Sequence, residues 1–337
     1  MRRLISIPWS LFFGCLFVIL TTVGLIGNVV VIVAIAGDRK MRQSVMNILL
    51  FNLAIADTLN LLTTTIEWVP TIITGTPGWV LPSILCPVGR YLEITFLFVS
   101  IMTQLIVCIE RYIAIVYPIH ARRLCSRRNI FITLIVIWLF VAVFSLPYAL
   151  LNKKQKSEFM YLFIANTCTN IYINSESWKN YKWIEFANFY FFPCIIFVVL
   201  YSKVSMILWS KNRALYKVSS FQMSLRPDAL KLRRNVVKML VACVSVYFIC
   251  YSPIQAIFLS KALFDIHISP AYEFILLMNA FALTCSACNP LLYTLFSKKF
   301  RSRMTKIFQC FQAPIGEKPN DFSNSVSKVI HYFKRMQ

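Results

Sequence analysis

Seven long runs of apolar residues, at roughly 9–36, 45–73, 83–117, 129–151, 183–210, 232–262 and 270–296, are separated by more polar stretches. A helix needs about 20 residues to cross a hydrocarbon core of ~30 Å, and every run meets that length. None alternates apolar and polar residues over about ten positions, as a membrane-spanning strand would. The pattern predicts an all-α membrane protein, a seven-transmembrane helix bundle over residues 9–296. An odd number of spans puts the two ends of the chain on opposite sides. Residues 1–8 precede the bundle, 297–310 read as a short amphipathic eighth helix, and 311–337 read as a tail. The longest connections, 152–182 and 211–230, are too small to be domains, and no internal repeat suggests a two-fold transporter. Met1-Arg2-Arg3 ahead of an apolar run could open a secretory signal. This run is longer than a signal core, contains Asn28 and has no small-residue cleavage site after it, so it is read as a span.

Only 14% of the 337 residues are charged, against about 25% in a soluble domain, which argues against one or two water-soluble domains. The net charge of +22, from 35 Lys and Arg against 13 Asp and Glu, raises the question of nucleic acid. The charges cluster between apolar runs, which argues against it. Arg39, Lys40 and Arg42 follow the first span, and Arg122, Arg123, Arg127 and Arg128 follow the third. With the segment from Lys203 to Lys238 and the tail from Ser297, these hold 25 of the 35 basic residues. The excess of Lys and Arg marks the cytoplasmic side. The expectation is a multi-pass plasma-membrane protein with its amino terminus outside, its eighth helix and tail cytoplasmic, and Arg2 and Arg3 as a minor countercurrent.

A charged side chain within a span costs about 3 kcal/mol on insertion scales, so each needs a reason. Asp57 lies in the second span, Glu110-Arg111-Tyr112 closes the third, Asn289-Pro290-Leu291-Leu292-Tyr293 closes the seventh, and Asn28 sits within the first. Prolines 147, 193, 253 and 290 each free a backbone carbonyl and kink their helices. Three scattered histidines, and a Cys285/Cys288 pair inside an apolar run, give no expectation of a zinc site. There is no His-Glu-x-x-His, no glycine-rich phosphate loop and no second aspartate beside Asp57, so no enzyme is expected. A transporter or channel would also use an intramembrane acid and kinked helices.

These residues, in this order, resemble class A (rhodopsin-like) G-protein-coupled receptors. The resemblance rests on Gly27-Asn28, the run from Asn52 to Asp57, Cys86, Glu110-Arg111-Tyr112, Trp138, Pro193, Tyr201, Pro253 and Asn289 to Tyr293, and covers about residues 10 to 310. The stretches Cys108–Pro118, His120–Cys125 and Met239–Cys250 further resemble FMRFamide-like neuropeptide receptors. Three positions depart from the family pattern. Tyr251 stands where a tryptophan is usual, Arg233 where an acid often pairs with the third-helix arginine, and Cys285 where an asparagine is common. No lysine lies in 270–296, so a retinal Schiff base is excluded.

The resemblance implies a receptor for an extracellular peptide, amidated and carrying a basic group, acting on a heterotrimeric G protein. A small amine or other non-peptide ligand is the alternative. It implies a Cys86–Cys168 disulfide across the mouth of the ligand pocket. Glu93 and Glu67 would meet the ligand's cation, with Trp68, Trp79, Tyr251, Phe248 and Tyr272 as aromatic walls. For each of these acids the alternative is an internal hydrogen bond, for Glu93 with Arg90. No organic cofactor is implied, but Asp57, Asn28, Ser100, Ser286 and Asn289 could hold a sodium ion, or else a structural water network. Arg111, Tyr201, Tyr293 and Ile119, with the basic segment from Lys231 to Lys238, would meet the G protein as the sixth helix rearranges about Pro253. Cys310 is a candidate for palmitoylation. Arrestin, a receptor kinase and anionic lipid are further partners the family implies.

Overall fold

The computed structural model describes residues 5–75, 78–159, 163–209, 227–264, 266, 271–296 and 302. Helix α1 (Ile7–Gly37) and α2 (Val45–Thr74) are joined by a one-turn helix, Arg39–Arg42, whose first N–H groups are capped by Asp38. Helix α3 (Leu85–Val116) leads through the short helix Pro118–Leu124 into α4 (Arg127–Leu151). An antiparallel hairpin follows, β1 (Asn152–Phe159) and β2 (Phe163–Asn170), with Lys154 opposite Cys168. Helices α5 (Glu176–Trp209), α6 (Pro227–Phe264) and α7 (Tyr272–Phe296) complete the set. Seven helices among the described residues are long and apolar enough to cross a membrane. They pack in chain order, and α7 closes the ring against both α1 and α2.

Two boundaries depart from the sequence reading. Helix α5 begins at Glu176, well ahead of the apolar run, because Ser175 caps it by accepting the Trp178 N–H at 3.2 Å. A capping oxygen starts a helix irrespective of how polar its first turns are. The connection from 152, read as an open loop, contains the hairpin, so the all-α bundle carries a small sheet. Its strands lack a clear apolar face, and they are fixed from outside. Cys168 is disulfide-bonded to Cys86 of α3, Asn166 accepts the Trp79 N–H, and Lys154 donates to the Leu81 carbonyl at 3.1 Å. The expected amphipathic segment 297–310, with Cys310, lies outside the described residues apart from Ser302.

Proline shapes the bundle through the carbonyls it strands. A proline has no N–H to give and its ring pushes away the carbonyl four residues earlier. Pro193 does this to Phe189, and the helix widens there into one π turn, Ala187–Phe191. The Tyr247 hydroxyl of α6 donates to the Phe189 carbonyl at 2.8 Å. Pro290 strands Ser286, and Asn28 Nδ2 of α1 donates to that carbonyl at 3.1 Å. Close approach is required for the second bond. A Cβ on Gly27 would lie 2.8 Å from Pro290 Cβ, and one on Gly24 would lie 3.1 Å from Ala287 Cα. Gly75, at φ 66°, ends α2 in the left-handed conformation that glycine adopts without strain.

The Cys86–Cys168 bond closes 82 residues of chain, a constraint of about 4–5 kcal/mol in the chain-entropy picture. Cys86→Ser and Cys168→Ser should therefore lower surface expression and thermal midpoint equally, with the double variant no worse than either. Losses that add would show two separate roles.

Candidate functional site

At the end of the bundle that bears the hairpin, α2 to α7 enclose a cavity of about 510 Å³. Its apolar floor includes Phe98, Phe189, Tyr247 and Tyr251, and its charge lies in two clusters, one from α2 and α3 and one from α4 and α5. On the α2–α3 wall, Arg90 Nη2 lies 2.7 Å from Glu67 Oε1 and Nη1 lies 3.3 Å from Glu93 Oε2. The guanidinium also sits 5.7 Å from the centre of the Trp68 ring. On α4 and α5, the Tyr148 hydroxyl donates to Glu185 at 2.6 Å, and Lys182 donates to Tyr148 at 3.0 Å and pairs with Glu185. On the wall, Glu93 and Glu185 face Arg90 and Lys182, and Glu67 stands behind Arg90 as a third carboxyl group.

The sequence-predicted residues divide here. Glu93, Trp68 and Tyr251 line the cavity. Glu67 is buried and off the cavity wall, on the far side of its bond to Arg90. Phe248 packs among Tyr190, Phe197 and Tyr247 with ring centres 5.1–6.0 Å apart, and Tyr272 packs against the α1–α2–α7 core, so neither forms the wall expected of it. Trp79 is buried beside the hairpin, its indole N–H on the Pro82 carbonyl. Tyr148, Lys182, Glu185 and Gln255 line the cavity and went unpredicted. The signal for two of them is Lys182 and Glu185 one helical turn apart at the head of an apolar run, where a charge is easily read as a mark of topology alone.

Deeper in the bundle, Asp57 accepts from Ser100 at 2.8 Å and from Asn289 at 2.7 Å. Ser286 donates to Asn60 at 3.4 Å, and its carbonyl is the one held by Asn28. Asp57 is 1% exposed and forms no ion pair among the described residues. Cys285 turns its thiol to the Val246 carbonyl. Asn52 donates to Thr103 at 2.9 Å and accepts from the Trp138 indole at 2.9 Å, tying α2, α3 and α4 together.

The family model for 7 transmembrane receptors (rhodopsin family) matches residues 27–293, a span that contains this whole constellation from Asn28 to Tyr293. The chain belongs to the rhodopsin family of receptors. It is 54% identical to Neuropeptide receptor 15 of Caenorhabditis elegans over 90% of this chain and 92% of that one. Similarity to the Allatostatin-A receptor of Bombyx mori is 27% identity over 92% of this chain and 82% of that one. For Galanin receptor 2b of Danio rerio the figures are 26%, 92% and 78%.

At the opposite end of this receptor, where the basic loops lie, Arg111 pairs with its own neighbour Glu110. Arg233 of α6 faces Arg111 with like charge, and its Nη1 is buried without a hydrogen-bond partner. An ion pair between α3 and α6 is thus excluded at this position. The next residue supplies a different tie. Arg234 donates from Nε and Nη2 to the Leu208 carbonyl of α5, at 2.9 and 2.6 Å, and lies 5.4 Å from the centre of the Trp209 ring. Tyr201 and Tyr293 are buried and line one small cavity with Leu240, Cys243 and Val244. Ile119, 79% exposed on the short helix after α3, points away from the core.

Arg234→Ala removes two charge-assisted bonds and a cation–π contact, a loss of about 1–3 kcal/mol. The purified receptor should melt several degrees lower, with Arg234→Lys intermediate because an ammonium has no fork. An unchanged thermal midpoint for both variants would show that the tie contributes nothing.

Proposed function

We propose that this receptor binds an extracellular neuropeptide bearing one basic group and transmits that binding to a heterotrimeric G protein. The observation that carries the reading is that three carboxyl groups, Glu93 and Glu185 on the wall and Glu67 behind it, share two cations, Arg90 and Lys182. Glu93 lies on the wall of the cavity, where a ligand guanidinium or ammonium would pair with it. The similarity to neuropeptide, allatostatin-A and galanin receptors supports a peptide as the bearer of that cation. Trp68 and Tyr251 supply aromatic surface beside it, and an amidated carboxyl end would add no second negative charge to a site already in excess.

In this reading the hairpin end faces outward, in the compartment where disulfides persist. The basic end faces the cytoplasm, in accord with its Lys and Arg. Ligand binding favours one of two arrangements of the bundle. Rearrangement of α6 about Pro253 separates Leu240, Cys243 and Val244 from Tyr201 and Tyr293, and Arg111 becomes available to a G-protein segment, with Ile119 as an apolar anchor. Arrestin, a receptor kinase and anionic lipid would meet the same basic face. A sodium ion beside Asp57 fits the donor set: Asp57, Ser100, Ser286 and Asn289 would hold it through oxygen, and it would supply the counter-charge that the buried carboxylate lacks.

Breaking a buried charge pair on one side costs about 3–5 kcal/mol, so Glu93→Gln should raise the half-maximal concentration of an arginine-containing agonist peptide by two decades or more. The citrulline analogue should be weak on the unaltered receptor and lose little further on Glu93→Gln. Equal potency of arginine and citrulline peptides on the unaltered receptor would end the ion-pair reading. Arg111→Ala should abolish nucleotide exchange on the G protein while peptide affinity stays within about tenfold. Normal exchange by a well-expressed Arg111→Ala receptor would rule out its coupling role.

A further inference from the structure

Arg90 holds two carboxylates unequally. Its bond to Glu67 is 2.7 Å and its bond to Glu93 is 3.3 Å. The two acids are also unequally placed, since Glu93 is on the cavity wall and Glu67 is not. Glu67 is 7% exposed, and its second oxygen, Oε2, is buried without a hydrogen-bond donor. The longer bond therefore goes to the acid a ligand can reach, and the shorter one to an acid with an unused acceptor. A guanidinium carries a planar fork of N–H groups suited to both oxygens of one carboxylate.

We propose that Glu67 is a positioning residue: it retains Arg90, so that Arg90 releases Glu93 to the ligand's cation instead of competing for it. This rests on the reading of Glu93 as the cation contact. The N–H that Arg90 withdraws from Glu93 finds Glu67 Oε2, so a single bond becomes a bidentate pair and Arg90 keeps its charge partner. Two acids then serve two cations, one internal and one from the ligand. Arg90 spans so little distance, from the same helix as Glu93 and one turn away, that it would outcompete any free cation if Glu67 were absent.

Charge arithmetic makes this separable from direct contact. Without the Glu67 carboxylate, Arg90 and Glu93 neutralise one another and no charge is left for a ligand. Without Arg90 as well, Glu93 is again free.

The test uses N-acetylarginine amide, with N-acetylcitrulline amide as its neutral match, and reads the apparent Kd from thermal stabilisation of the purified receptor. Glu67→Gln should weaken the arginine probe at least tenfold. The double variant Glu67→Gln/Arg90→Met should bind it within about threefold of the unaltered receptor. Arg90→Met alone should bind it more tightly than the unaltered receptor, and Glu93→Gln/Arg90→Met should not bind it. If the double variant remains as weak as Glu67→Gln, then Glu67 touches the ligand or only supports the fold, and the inference is overturned. Should Glu67→Gln fail to fold, Arg90→Met decides, since weaker binding there overturns the inference equally. The two readings fail separately. Recovery in the double variant, with arginine and citrulline peptide agonists equally potent, would leave this inference standing and remove the basic peptide. The opposite pair of results would keep the basic peptide and remove the role of Glu67.

Discussion

A carbonyl left without a donor in hydrocarbon costs several kcal/mol, and this bundle is arranged around the places where proline creates one. Phe189 and Ser286 lose their helical partners to Pro193 and Pro290, and each is served from another helix, by Tyr247 and Asn28. These bonds cannot form at arbitrary separation. They set how close α6 comes to α5 and α1 to α7, and so fix two of the contacts that close the ring of helices. The cavity lies just above the first, with Tyr247 and Phe189 in its floor. The Asp57 cluster adjoins the second through Ser286. At these two kinks the stranded carbonyl is satisfied by a side chain of the neighbouring helix, and polar groups gather beside it.

Charge is handled differently at the two ends. Around the cavity, Arg90, Glu67, Glu93, Lys182 and Glu185 are each held by a partner from another helix or from one turn away. At the basic end, the arginines outnumber the acids, and two of the three described here resort to other means. Arg111 turns to its sequence neighbour, and Arg234 to a carbonyl and an indole. Arg233 is left facing a like charge. The α5–α6 contact at that end consequently has an anchor that does not involve α3 at all.

The seven spans were legible because length and apolarity alone decide what can cross a membrane. The meeting of Asp57 with Ser100 and Asn289 was legible through the family resemblance, while Asn28 donates instead to the Gly24 and Ser286 carbonyls. The facing of aromatic residues was not legible. Phe248 and Tyr272 sit on helices apolar on nearly all sides, so periodicity carries no signal for which face looks inward. The hairpin escaped notice because its order comes from a disulfide and from the segment around Trp79, distant in sequence, rather than from its own alternation. Tyr148, Lys182 and Glu185 escaped because a lysine at the end of a span has an ordinary explanation in topology, and only the folded chain reveals that it meets a carboxylate and a phenol at once. Glu67 and Glu93 could be placed near the same end of the bundle from sequence, but which of them opens to the cavity depends on helix rotation.

The tight crossing of α1 over α7 has a genetic consequence. Glycine is the sole residue without a Cβ, so every missense change at codon 27 adds an atom 2.8 Å from the Pro290 ring, and one at codon 24 adds an atom 2.7 Å from Leu61 Cδ1 and 3.1 Å from Ala287 Cα. The proline ring cannot swing aside as the Leu61 side chain can. In a library of all single substitutions sorted for surface display, column 27 should be empty even of alanine and serine, and column 24 depleted of both. Codon 14 of the same helix, whose added Cβ would meet only the Ile72 side chain at an ordinary 3.7 Å, should accept both.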